Sequence, residues 1–323
     1  MTSTCSQSAC AAPLTACNLG RSSLQECEFW RDHAKEREQA NSSDTVVEPL
    51  LPWAGGSLGH LDLELVAARS LPRLIGIIGA HDAGKTTLLT SLYLLLWRGV
   101  RATTRSFAGS YTFGGWEDLA HVLRWHPGQP PQFPRHTSRA RGRTPGLLHL
   151  SLRREDGVLE DVLFTDAPGE WFESWADNRM ASSAEGARWT ARHATALALV
   201  VDSAALAGPN RGLARARLLT LLNRLSDEIR PASSIAVVWS KSDILVPAQI
   251  RESLREAFEQ KIPGYHEFRV TVKAVAGDTE HDIDGYIQLL NWLLIEQQPV
   301  ISEPMPDPVD ASDPFLAFRG GYV

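Results

Sequence analysis

Gly79-Ala80-His81-Asp82-Ala83-Gly84-Lys85-Thr86 reads G-x-x-x-x-G-K-T, a spacing that cradles phosphate. Gly79 and Gly84 let the backbone turn tightly with no Cβ in the way. The N–H groups of the loop, with those of the following helix, then converge on an anion. Lys85 is placed to reach the β- and γ-phosphates, Thr86 to offer its hydroxyl to Mg²⁺, and Thr87 to continue the first helical turn beside them. A second group follows at Asp166-Ala167-Pro168-Gly169-Glu170. An acid at the end of an apolar strand, after such a loop, holds Mg²⁺, commonly through water. A glycine three residues on brings its N–H to the γ-phosphate without a side chain in the way. Glu170, next in line, is the nearest group by sequence to orient an attacking water, and His81 is a second candidate.

A third group selects the base. Ser240-Lys241-Ser242-Asp243 ends another apolar strand. Guanine presents N1–H and N2–H₂ side by side, and a carboxylate supplies two acceptors in the matching plane. GTPases place that acid in N-K-x-D. Here Ser240 replaces the Asn, which is expected to loosen the bracing of the loop while leaving Asp243 to discriminate. The stem of Lys241 would lie along the base. The small-residue turn at Val275-Ala276 is expected to meet guanine O6 through its backbone.

The elements that must hold these groups are legible as alternating patterns. Leu74–Ile78 is an apolar strand leading into the loop, and the leucine-rich run to Trp97 is a helix. Residues 147–152 and 158–165 read as a hairpin, expected to add one antiparallel strand at a sheet edge. Buried strands follow at 196–201 and 235–239 and a last one at 268–275. Helices are expected over 116–125, 180–193, 211–230, 247–262 and 283–298, the 211–230 one with a leucine face. The alternation at 61–65 predicts an edge strand, and the charged run 29–39 a short exposed helix. The fold class is α/β, a mostly parallel sheet with helices on both faces. The Thr- and Ser-rich stretch after the first helix is where a first switch would lie. Its candidates for completing the Mg²⁺ shell are Thr103, Thr104, Ser110 and Thr112. The proline- and arginine-rich segment 126–146 cannot be regular.

Domain organisation reads as a cysteine-bearing segment over 1–45, a phosphate-loop domain over 46–298 and a Pro- and Asp-rich tail over 299–323. The four cysteines, Cys5, Cys10, Cys17 and Cys27, are the thiolate count of a closed zinc site. The usual C-x2-C pair is absent, and an unstructured leader that binds nothing is the alternative. Composition excludes little else. The 323 residues carry 43% hydrophobic and 22% charged residues and a net charge of −6, ordinary for a protein with a core. That charge argues against bulk nucleic-acid binding. No apolar run is long enough for a membrane span and no signal peptide is evident, so a cytoplasmic protein is expected.

Together, Gly79–Thr86, Asp166–Gly169 and Ser240–Asp243 resemble the translation-factor-related (TRAFAC) GTPases. The longer stretches GAHDAGKTTLLTSLYLLL, FAGSYTFGGWE and TDAPGEWF are similar to the bacterial double-GTPase proteins, in particular their second family. The resemblance covers roughly residues 70 to 298. It implies a GTPase subunit working with GTP, GDP and Mg²⁺, encoded beside another GTPase or an associated partner protein in bacterial systems suspected of conflict or defence roles. Ser240, and Glu170 where many GTPases carry Gln, depart from the pattern.

Overall fold

The computed structural model describes residues 4–5, 16–17, 19–24, 27, 29–31, 55–68, 70–98, 105–124, 144–230, 233–272 and 281–294. The chain divides into two units, Met1–Leu51 and Pro52–Val323. In the first, strands β1 (Thr4–Cys5) and β2 (Trp30–Arg31) pair antiparallel. This corrects the start of the helix expected over 29–39, of which residues 32–39 lie outside the described residues. Trp30 and Arg31 have a strand to pair with, and an aromatic start favours the extended form.

The second unit runs α1 (Leu63–Ala67), β3 (Arg73–Ile78), α2 (Lys85–Trp97), β4 (Ser106–Gly109), α3 (Phe113–Leu123), β5 (Gly146–Arg153) and β6 (Leu159–Asp166). It continues with α4 (Gly169–Asp177), α5 (Glu185–His193), β7 (Ala196–Asp202), α6 (Ser203–Ala207), α7 (Arg211–Glu228), β8 (Ser234–Ser240), α8 (Ala248–Lys261), β9 (His266–Arg269) and α9 (His281–Leu294). One seven-stranded sheet has the order β4-β5-β6-β3-β7-β8-β9. The pairs β3–β6, β3–β7, β7–β8 and β8–β9 are parallel; β5 alone runs against its two neighbours. The fold is the expected mostly parallel α/β sheet.

Side chains alternate between the two faces of β3. Leu74 and Ile78 pack with Phe172 and Trp175 of α4, Leu221 and Leu225 of α7 and Phe258 of α8. Ile75 and Ile77 pack with Leu88 and Leu92 of α2, Trp116 of α3 and Leu289 and Leu293 of α9. Both faces of the central strands are therefore covered, which is why they read as continuous apolar runs.

Four expectations need correction. Residues 61–65 form a 3₁₀ turn (His60–Asp62) and the start of α1, not a strand. The Gly59 N–H donates to Asp62 Oδ2 at 2.7 Å, which closes the turn. Val66 is buried and Leu63 packs beside it, at helical spacing, while Leu61 is 74% exposed. The hairpin does not end the sheet: β4 adds beyond β5, tied by an Arg105–Glu160 ion pair. The last strand begins at His266 and ends at Arg269, with Val270 N–H still donating to Trp239 O at 2.9 Å. In α7 the core takes Leu221, Leu222 and Leu225, Leu218 and Leu219 are partly buried, and Leu213 is exposed. The readings for 126–143 and for the tail lie outside the described residues.

Candidate functional site

The chain emerges from β3 at Ile78 and re-enters regular structure at Lys85, so the loop between is pinned at both ends. Gly84 takes φ +90°, open to glycine at no steric cost, and Asp82 takes φ +59°. A Cβ on Gly79 would lie 2.8 Å from Val200 O. Beside the loop, β6 is locked to β3 by Ile77 N–H donating to Thr165 Oγ1 at 2.9 Å. The strand ends at Asp166, and two residues on the chain turns into α4, whose first residue is Gly169. A Cβ there would sit 2.5 Å from both N and Cα of His81. Only glycine lets the start of α4 press against the loop this closely.

Lys85 Nζ donates to Ala80 O at 2.9 Å and lies 5.9 Å from the centre of the Phe172 ring. Burial pulls its pKa down to about 8, against the opposing charges of Asp166, Glu170, Glu173 and Asp82. Glu173 Oε1 accepts from His81 N–H at 3.2 Å. The His81 ring has carboxylates at both ends, Asp82 Oδ2 3.3 Å from Nδ1 and Glu170 Oε1 3.8 Å from Nε2.

The loop opens onto a cleft of about 510 Å³, a size that suits a small organic ligand. Asp82, Lys85, Thr86, Thr87 and Glu170 line one end; Ser240, Lys241, Asp243, Thr271 and Tyr286 line the other. Ser240 Oγ lies 2.7 Å from Ala83 O and 3.1 Å from Val201 O and shares its one hydrogen between them. Serine at this position therefore still ties the loop to β8. Lys241, at φ +51°, donates from Nζ to Asp82 O and to Asp202 Oδ2, each at 2.8 Å. Asp202 in turn caps α6, its Oδ1 accepting from Ala204 N–H and Ala205 N–H. Asp243 Oδ1 accepts from Thr271 Oγ1 at 2.9 Å, and Ser242 N–H donates to Val270 O at 3.1 Å.

Of the residues singled out from sequence, His81, Asp82, Gly84, Lys85, Thr86, Thr87, Gly169, Glu170, Ser240, Lys241 and Asp243 line this one cleft. Gly79, Ala80 and Ala83 belong to the loop behind it, and Asp166 lies close enough to act on the charge of Lys85. Val275 and Ala276 lie outside the described residues; the segment after β9 that reaches the cleft carries Thr271 and Val272. Thr103 and Thr104 are also outside. Ser110 and Thr112 are used elsewhere: Ser110 Oγ donates to His149 O, and Thr112 Oγ1 accepts from His149 N–H at 2.8 Å, so both hydroxyls tie the start of α3 to β5. For Mg²⁺ the fitting donors are the Thr86 hydroxyl and the Asp166 carboxylate, both hard oxygens. Of the four cysteines, Cys10 is outside the described residues, Cys5 belongs to β1, and Cys17 and Cys27 are thiols, Cys27 buried. Among the described residues no three or more His, Cys, Asp or Glu side chains gather as a metal site.

A family model described as Double-GTPase 2 matches residues 73–293. The chain belongs to the Double-GTPase 2 family. The matched span runs from the first residue of β3 into the last turn of α9, so the family's shared region holds the whole sheet and both ends of the cleft. A comparison with curated proteins returned no match. Among solved structures, this chain is similar to translation elongation factor SelB from Methanococcus maripaludis, in complex with the GTP analogue GppNHp. The identity is 18% and the TM-score 0.35, over 68% of this chain and 33% of that one. The chain thus matches a third of the length of that factor.

Three residues of this Double-GTPase 2 chain escape a motif reading. Thr271 had a usable signal: Thr-Val-Lys, a small hydroxyl residue two before a lysine, follows β9 after one intervening residue. Asp202 had a weaker one, an acid ending a buried strand. Glu173 had none, because its role depends on the turn of α4 that aims it at the loop.

Proposed function

We propose that this protein binds GTP with Mg²⁺ and hydrolyses it to GDP and phosphate, acting as a switch subunit with another GTPase or an associated partner. The observation that supports this best is one cleft with a phosphate loop at one end and an oriented carboxylate at the other. The loop N–H groups and Lys85 take the phosphates; the Gly169 N–H, at the start of α4, faces the terminal one. Bound Mg²⁺, held by Thr86 and Asp166, would offset charge on the β- and γ-phosphates. Asp243 accepts from guanine N1–H and N2–H₂. Thr271 already occupies one lone pair of Oδ1, which fixes the plane in which the carboxylate meets the base. Lys241 packs its stem beside the base while its ammonium holds the loop.

A second reading, a nucleotide-dependent scaffold with little turnover, draws on the acids around Lys85. Glu170 would stand beside the γ-phosphate, is repelled by it, and cannot donate to it. We therefore expect slow turnover alone and faster turnover when a partner supplies an arginine. Competition of labelled GTP by GTP, ATP and XTP tests the base, and phosphate release over a range of protein concentrations tests the chemistry. ATP competing as well as GTP would end the guanine reading and favour an ATPase. Tight GTP binding with no phosphate release, alone or with partners, would favour the scaffold.

A further inference from the structure

His81 occupies the third position of the phosphate loop, and its backbone is fixed more firmly than that of an ordinary loop residue. The first residue of α4 presses on it so closely that any Cβ at Gly169 would collide with its N and Cα. Its N–H is held by Glu173 Oε1 at 3.2 Å. The imidazole is therefore placed at the same corner as the Gly169 N–H, where a γ-phosphate would lie. Its two nitrogens face two carboxylates, Asp82 at 3.3 Å and Glu170 at 3.8 Å. Glu173 stands on the same helix as Glu170, and Lys85 adds a close positive charge from α2. On the other side of the loop, His81 shares a small cavity of about 160 Å³ with Asp202 and Arg217.

Glu170 has the right place to accept a proton from an attacking water and the wrong charge to sit beside a phosphate. A ring N–H between it and the phosphate resolves that conflict. An imidazole N–H is also a donor, which a carboxylate is not.

We propose that His81 is the group within this chain that makes Glu170 usable, donating from its ring to a γ-phosphate oxygen and screening the Glu170 carboxylate from it. This rests on the GTP reading above. In the step it serves, the water oxygen attacks the γ-phosphorus. The bond from that phosphorus to the β–γ bridging oxygen breaks, and its electron pair stays on GDP. The proton lost by the water goes to Glu170 and from there to phosphate or solvent. His81 keeps its own protons throughout.

The test is a double-mutant cycle of wild type, His81→Ala, Glu170→Gln and the double variant, read first as affinity for GDP and for GppNHp. The expected result is GDP affinity within about threefold throughout, because GDP lacks the phosphate concerned. GppNHp affinity should fall about tenfold in His81→Ala, and removing His81 should matter about threefold or less in the Glu170→Gln background. His81→Lys, which restores a donor, should recover part of the loss. Single-turnover hydrolysis should fall about a hundredfold in His81→Ala. An unchanged GppNHp-to-GDP ratio in His81→Ala overturns the proposal, as does an equal loss whether Glu170 is intact or replaced by glutamine. Failure of the GTP reading looks different: ATP matches GTP in the wild type, or neither guanine nucleotide binds, and the second of these takes the His81 proposal down too.

Discussion

Where α4 and β7 press on the 79–84 loop the joints are backbone; at the end formed by β8 and the segment after β9 they are side-chain hydrogen bonds. Gly169 against His81, and Gly79 against Val200, meet at distances that leave no room for one more carbon. At the other end Thr271 holds Asp243, Ser240 holds the loop and Lys241 ties the loop to Asp202, each through a side-chain hydrogen bond. Backbone contacts at van der Waals limits are all-or-none, whereas single hydrogen bonds can be weakened by degrees. The phosphate end should therefore fail abruptly when altered, and the base end should retune.

The largest effect should come from Gly169→Ala. The added methyl must push α4 away from the loop, and the γ-phosphate contact goes with it. GppNHp affinity should fall by more than about tenfold while GDP affinity holds, measured by titration with fluorescent analogues. Equal losses for both nucleotides would mean that the joint serves the whole loop rather than the terminal phosphate.

Asp243→Asn comes next. Thr271 keeps its hydroxyl toward the remaining oxygen, so the amide nitrogen is what faces the base. It opposes the N–H of guanine and suits the oxygen that xanthine carries in place of the amino group. GTP should weaken by about 2–5 kcal/mol, at least tenfold, with XTP gaining. Competition with XTP reads this directly, and a variant that still prefers GTP would place the base elsewhere.

Thr271→Val is a smaller change at the same place. It removes the Thr271–Asp243 hydrogen bond and keeps the shape. About 1 kcal/mol, roughly fivefold, should be lost from GTP and nothing from ATP, so the preference narrows rather than reverses. A GTP affinity equal to wild type would show that Asp243 does not depend on Thr271 for its orientation.

The smallest effect separates the ends by protonation. Lys85 is held at about 8 by burial, below its unfolded value of 10.5. Between those values the unfolded chain binds more protons, so ligand-free stability should rise with pH from about 8 upward as the buried charge is lost. Nucleotide phosphates need the charged form. Binding should then take up a fraction of a proton above about pH 8, and affinity should fall as stability rises. Calorimetry in buffers of different ionisation enthalpy measures the uptake; Asp243 variants should leave it unchanged.

The same contrast explains what could be read in advance. Leu74–Ile78, 196–201 and 235–239 are buried on both faces, and such runs advertise themselves. The glycine loop and Asp166–Gly169 are short-range patterns, so their positions follow from the chain itself. β4 is an exposed edge of four residues, Ser106–Gly109, with no apolar run to announce it. Alternation at 61–65 and at 268–275 looked extended, but pairing needs a neighbour. Val66 found its burial in a helix, and β9 ended at Arg269. The side chains that hold Asp243 and Lys241, Thr271 and Asp202, depend on partners far along the chain, which spacing alone does not reveal.

The position of β3 in the sheet bears on how the chain is made. Its two neighbours, β6 and β7, begin at Leu159 and Ala196, long after Ile78 has been synthesised. At roughly 5–20 residues per second, several seconds pass on the ribosome before the Leu74–Ile78 run has an edge to join. During that interval a strand destined for full burial stands open to other chains. Fragments that stop before Ala196 keep it half-covered for good, and they should precipitate where the full chain does not.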